Sequence, residues 1–391
     1  MTPGLRPRRN EVFSAFRFFF CVGVVAYNYA PTRFVTSNPW LCSGPEFVTF
    51  FFVLSGFIWW LSASRSAAFS ASRFVARRLS WYLPLAYVGL LYYAARAVVS
   101  GTVITTGPAV ELTLSRGTLV ALGSHLALAQ AWVPSFPTSL CSPSWFMSCL
   151  IAFVFFFPFV FYSVSRRKIE PHATLAIAGL LWAGTQIIHL ALLNSPFFRP
   201  AGESIIVYLV YYFPLSHLCS LTLGLALAHW FTTADRPEPK RWTSLSLFLL
   251  TVVVMFGTLQ SGWSKAIPMS FPLGASFYAP LFGSLVLAIA MLSDDILRLF
   301  DNRPMHYLGK ISLPMFLLQL PVRGIWLRTL RVSGAHLAGM SDFLLYLAAL
   351  VLVACLFQSL IQQKASELLM AAFRLVARAF SRLGLVRLRL Q

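Results

Sequence analysis

Residues 17–28 read RFFFCVGVVAYN, opening on Arg17 and closing on Asn28 with no other strongly polar residue between. Polar side chains isolated in so apolar a stretch are costly in lipid and need partners or a task. Their i, i+11 spacing covers about three helical turns, so both project from one helix face roughly 16 Å apart along the axis. A guanidinium can hold a carbonyl or phosphate oxygen. An amide can orient a hydroxyl or donate to an oxyanion, but it is neutral and cannot serve as a base. Each residue also has a plainer use: Arg17 can snorkel to headgroups, and Asn28 can cap a helix–helix contact.

Few other residues in the chain can do chemistry. Arg77 and Arg78 lie in the basic stretch RFVARRLSWYLP, and Lys310 opens KISLPMFLLQLP. Such cations can bind phosphates or simply fix orientation in the membrane. Three histidines and one glutamate are candidate proton acceptors: His125, His189, His336 and Glu46. Taken singly, a membrane-edge histidine bonded to backbone or headgroup accounts for each histidine. His125 ranks first among them, because re-entrant backbone at membrane depth lines cavities. Glu46 stands at the entrance to the second apolar stretch, and His217, in the middle of the sixth, is instead a candidate hydrogen-bond partner within the bundle.

These residues need a membrane-embedded frame. Of 391 residues 58% are hydrophobic and 11% charged, against about 25% charged in soluble domains. The fold class is therefore all-α, a polytopic integral membrane protein of about ten transmembrane helices. The spans are expected near 13–31, 46–63, 80–99, 144–163, 172–192, 205–230, 243–261, 276–293, 308–327 and 343–363. With both termini inside, the inner loops collect Arg65, Arg73, Arg77, Arg78, the Arg166–Arg167–Lys168 run and most of the remaining cations. A full crossing by 118–133 would abolish that bias, so this piece is read as a re-entrant or surface segment on the outer side. The chain divides into a membrane domain, 1–363, and a basic amphipathic tail, 364–391. In that tail Arg374, Arg378 and Arg382 oppose Leu369, Phe373, Val376 and Phe380, the pattern of a helix lying on an anionic leaflet. The net charge of +19 thus points to membrane lipids and not to nucleic acid.

No soluble domain, internal repeat or cleavable leader is evident. The six cysteines have no metal-ligand spacing. Cys21, Cys149, Cys219 and Cys355 fall within spans as packing residues. Cys42 and Cys141 fall in outer loops, where they are either a disulfide or two separate thiols.

In order along the chain come an arginine opening the first span, FFVLSGF at 51–57, the basic stretch from Phe74, PSWFMSCLIAFVFFFP, and LGKISLPMFLLQLP. Together they resemble the acyltransferase-3 family of polytopic membrane acyltransferases, over essentially the whole chain. Arg17, Ser55, Gly56, Phe57, Phe74, Arg77, Arg78, Pro84, Trp145, Ser148, Pro158, Leu308, Gly309, Ile311, Ser312 and Pro321 match the family's motifs. The departures fall on ionisable positions. Asn28 stands for the first-span histidine, Leu150 for a glutamate and Gln319 for a second histidine, while Trp81 replaces an arginine.

The resemblance implies transfer of an acetyl or other short acyl group from a cytoplasmic acyl-CoA to a hydroxyl of a cell-surface or exported polysaccharide, or of a lipid-linked glycan. Acyl-CoA is then a substrate, and no bound cofactor is implied. Arg17, Arg77, Arg78 and Lys310 would bind the donor. Ser55, Trp145, Ser148 and Gln319 would position substrate, and Asn28 would orient donor or acceptor. The missing base falls to His125 or Glu46. The implied location is the bacterial inner membrane, with cytoplasmic termini. The competing expectation is a non-catalytic relative serving glycan or acyl transport, or an assembly partner of an active acyltransferase and of polysaccharide assembly proteins.

Overall fold

The computed structural model describes residues 9–29, 41, 43–100, 102–103, 110–111, 116–134, 136–139, 142–201, 203–234, 240–300, 302–334 and 339–382. The Cys42–Cys141 pairing and His336 lie outside them. Among the described residues the regular structure is helical apart from a two-residue antiparallel pairing of β1 (Thr102–Val103) with β2 (Val110–Glu111). In order the helices are α1 (Arg9–Tyr29), α2 (Gly44–Ser64), α3 (Ala71–Ser100), α4 (Arg116–Leu126), α5 (Ser144–Arg167) and α6 (Pro171–Asn194). There follow α7 (Glu203–Tyr211), α8 (Pro214–Thr233), α9 (Arg241–Gln260), α10 (Ala279–Ala290), α11 (Asp294–Phe300), α12 (Arg303–Ser333), α13 (Gly339–Phe357) and α14 (Gln363–Arg382).

Helix boundaries follow local chemistry. Proline occupies one of the first two positions of α2, α6, α8, α10 and α12, where its missing N–H costs nothing. Asn302 caps α12 by accepting from the Met305 N–H at 2.9 Å, and Gly334 ends it in the left-handed region at φ 66°.

Seven helical stretches among the described residues are long and apolar enough to cross a membrane, or eight if the bent α10–α11 pair is one span. This differs from the expected ten. Helices α3 and α12, where two further spans were expected, are not among them. Other expectations shift locally. The sixth span breaks at Tyr211–Pro214, and the eighth turns by 103° between α10 and α11. Segment 118–133 forms α4 and a 3-10 turn at Gln130–Trp132. At 1.5 Å per residue α4 is roughly 16 Å long, about half a hydrocarbon core of ~30 Å. The tail is helical and continues from α13 through a π turn at Gln358–Gln362.

The core is built on α2. Gly56 and Gly224 let α2 and α8 meet backbone to backbone: a Cβ on Gly56 would overlap the Leu221 carbonyl, and one on Gly224 the Val53 carbonyl. Close approach through small residues is how helices associate where lipid is as apolar as the side chains. Helix α1 packs along α12, and their seam positions Arg17 and Asn28. Midway along it the Cys21 thiol donates to the Ser312 carbonyl at 3.1 Å.

Candidate functional site

A cavity of 240 Å³ opens where α1, α2, α3, α5 and α12 converge. It brings together four of the residues expected to bind the donor or position substrate: Arg17 on α1, Ser55 on α2, Arg78 on α3 and Lys310 on α12. Three cations from three helices face one space, and none of its lining residues is acidic. The Arg78 guanidinium lies 5.7 Å from the Trp59 ring centroid and 5.5 Å from that of Phe74, contacts that hold the cation without neutralising it. Arg17 interacts electrostatically with both Tyr82 and Arg78, and Tyr82 also lines the cavity. Like charges so placed repel until an anion or a carbonyl dipole occupies the space. Arg77 does not join them. It is exposed, and one residue along a helix is a rotation of about 100°.

Farther along the seam, Asn28 and Gln319 meet each other. Asn28 Nδ2 donates to Gln319 Oε1 at 3.3 Å, and Gln319 Nε2 donates to the Phe316 carbonyl at 2.7 Å. Gln319 is fully buried, and its own carbonyl accepts from Tyr346 Oη at 2.8 Å. Phe316 also lines the cavity, so the amide pair sits one helical turn from its wall. The two positions where the resemblance places histidines are therefore neighbours. Leu150, in the glutamate position, lines the cavity itself.

The remaining candidates lie elsewhere. The Ser148 hydroxyl accepts from the Ala131 N–H at 3.3 Å and steadies the 3-10 turn. Trp145 packs edge-on against Tyr212 and at a tilt against His217, with ring centroids 5.5 and 5.2 Å away. Glu46 faces Tyr211 and Tyr278, and its Oε2 is buried without a hydrogen-bond partner. His125 is buried, with Nδ1 2.9 Å from the Ala121 carbonyl of its own helix and Nε2 unpartnered. Burial pushes the His125 pKa below the ordinary histidine value, because desolvation disfavours the charged ring.

Sequence reasoning missed Asp342 and the contacts that gather around Ser276. Asp342, in the first turn of α13, accepts from Tyr29 Oη at 2.7 Å and from Trp326 Nε1 at 2.9 Å, which extends the polar seam beyond Asn28. Its signal was an acid opening an apolar run. The second group centres on Ser276, which takes a left-handed φ of 67° in a broken turn at Leu273–Phe277. Its Oγ is 3.4 Å from His217 Nδ1, while His217 Nε2 is 3.1 Å from the Tyr211 carbonyl. His189 Nε2 lies 3.1 Å from Ser216 Oγ on the same side of the bundle. No local pattern announces these pairs, because their partners lie far apart in sequence.

Comparison with known proteins gives one result that covers nearly the whole bundle. The model of the Acyltransferase domain family matches residues 11–359, from the first turn of α1 to the π turn after α13. No curated protein and no solved structure matches the chain. The match includes every helix that lines the cavity and both amides of the seam, so the chain belongs to the acyltransferase-3 family.

Proposed function

We propose that this membrane protein transfers an acetyl or other short acyl group from a cytoplasmic acyl-CoA to a hydroxyl of a cell-surface or exported polysaccharide, or its lipid-linked precursor. The observation that carries this reading is the cavity faced by Arg17, Arg78 and Lys310. At 240 Å³ it is smaller than the ~300–1,000 Å³ of pockets that enclose whole ligands. It therefore takes the acyl-pantetheine end, while the phosphates remain at the mouth near exposed Lys310 and Arg77. Arg17, half-buried on the seam, holds the thioester carbonyl oxygen and stabilises the charge that develops there.

In the transfer, the acceptor oxygen forms the new ester bond and the carbon–sulfur bond breaks, releasing CoA thiolate. The acceptor proton must leave through a base. Asn28 and Gln319 can orient the hydroxyl but cannot take its proton. That role falls to Glu46 or His125, each with an unpartnered polar atom. In this reading α3 and α12, at 30 and 31 residues, also cross the bilayer. The ten spans then lie in a bacterial inner membrane with both termini cytoplasmic.

A second reading rests on the Asn28–Gln319 hydrogen bond itself. Two amides satisfying each other where proton transfer belongs suit a non-catalytic relative that moves glycan or acyl groups or supports an active acyltransferase. Mass spectrometry of ester content on surface polysaccharide separates the two. A deletion strain complemented with native protein regains a specific acyl mark if the enzyme reading holds, and Arg17→Ala does not restore it. Unchanged marks with altered polymer yield favour the second reading.

A further inference from the structure

A second face of α3 borders a larger space. Between α3, α5 and α14 runs a groove of 480 Å³, walled by Ala76 and Leu79, Phe155 and Phe159, and Phe373 and Ala377. Its volume falls within the ~300–1,000 Å³ range of small-molecule sites, and walls so apolar suit a hydrocarbon chain, not a sugar or nucleotide. The apolar surface continues outside it: Phe159 is 73% exposed, and Leu375 and Val376 of α14 are exposed beside the groove.

One end of the groove is basic. Tyr162, which lines it, donates from Oη to the Phe69 carbonyl just before α3 at 3.0 Å, so the end of α5 meets the start of α3. There the Arg166 guanidinium lies 5.7 Å from the Tyr162 ring centroid. Arg73 follows the lining residue Ser72, and Arg374 follows Phe373; both arginines are exposed. No carboxylate lines the groove. Helix α14 is tied on as its third wall: Gln362 Nε2, in the turn that leads into it, donates to the Trp81 carbonyl at 2.6 Å, and Ser366 Oγ donates to Ser80 Oγ at 3.3 Å.

We infer that this groove binds an acyl chain of an anionic membrane phospholipid, whose phosphate headgroup is held at the basic end by Arg73, Arg166 and Arg374. The site does not depend on the acyl-transfer reading. It does adjoin the donor cavity through α3, since Trp81 lines that cavity.

The test uses the full chain in detergent, offered equal amounts of phosphatidylglycerol and phosphatidylethanolamine, with retained lipid read by native mass spectrometry. The native protein is expected to keep phosphatidylglycerol in preference. Ala76→Trp and Ala377→Trp, which fill the groove, should lower retention roughly tenfold, whereas Gly179→Trp, where nothing lies within 4 Å, should keep the native level. Native-level retention in both filled variants would overturn the site, and equal retention of the two lipids by native protein would overturn the headgroup assignment. Should the filled variants fail to fold, Arg73→Gln/Arg166→Gln/Arg374→Gln, all at exposed positions, carries the test. It should abolish the preference for phosphatidylglycerol, and a preserved preference contradicts the proposal.

Discussion

The two ends of the α1–α12 seam use the same pair of helices differently. Around Arg17, cations from three helices face an open cavity with no acid among its lining residues. Around Asn28, an amide meets an amide, and beyond them Asp342 is satisfied by Tyr29 and Trp326. One end gathers cations around an open cavity, while at the other the amides and Asp342 are paired with neighbours and only the Arg323 Nε, near Tyr29, is left without a hydrogen-bond partner among these groups. A binding site is expected to look like the first and a structural contact like the second. In the proposed function the cation-lined end serves the anionic donor, while Asn28 and Gln319 at the other end are neutral amides.

Restoring that end gives the largest expected effect. If a base is what Asn28 lacks, Asn28→His should raise acyl transfer by about 10²–10⁴, the usual contribution of a general base, as read by labelled acetyl incorporation. No gain would mean that the base lies elsewhere, and Glu46→Gln then becomes the informative variant. At the donor end, Arg17→Ala removes a charge-assisted contact of about 1.5–3 kcal/mol, so transfer should fall by roughly 10- to 100-fold without a change in melting temperature. Asp342→Ala sharpens the contrast from the other side. It strands the Tyr29 hydroxyl and the Trp326 N–H in the interior, and should cost about 1–3 kcal/mol of stability per orphaned group in thermal denaturation.

The smallest effect is a pH dependence. Burial lowers the His125 pKa in the folded protein, so its contribution to stability is present above the ordinary histidine value of about 6.5. That contribution is lost as pH falls through the lower folded value. Native protein should therefore lose more melting temperature between pH 7 and pH 5 than His125→Gln does.

Much of the cavity end was legible in the sequence, because it is written in motifs local to single helices. Arg17 opens an apolar run, Ser55-Gly56 sits in FFVLSGF, and Lys310 follows a glycine in LGK. Telling Arg77 from Arg78 was not possible, since adjacent residues share every compositional signal and differ only in which way the helix turns them. The breaks in the sixth and eighth spans were also hidden. Pro214 marks a helix start, but the run around it stays apolar and reads as one span. The polar contacts of the far end were the least visible. Asn28–Gln319, Tyr29–Asp342 and His217–Ser276 join positions separated by 291, 313 and 59 residues, and only packing of the whole bundle decides such pairings.

Equilibrium binding of acetyl-CoA to the purified full chain tests the contrast between the two ends most directly. The native protein should bind, Arg17→Ala and Arg78→Ala should each weaken binding by roughly tenfold or more, and Asn28→Ala should change it by less than about twofold. Native-like affinity in both arginine variants, or an equally large loss in Asn28→Ala, would contradict the assignment of the cavity to the donor.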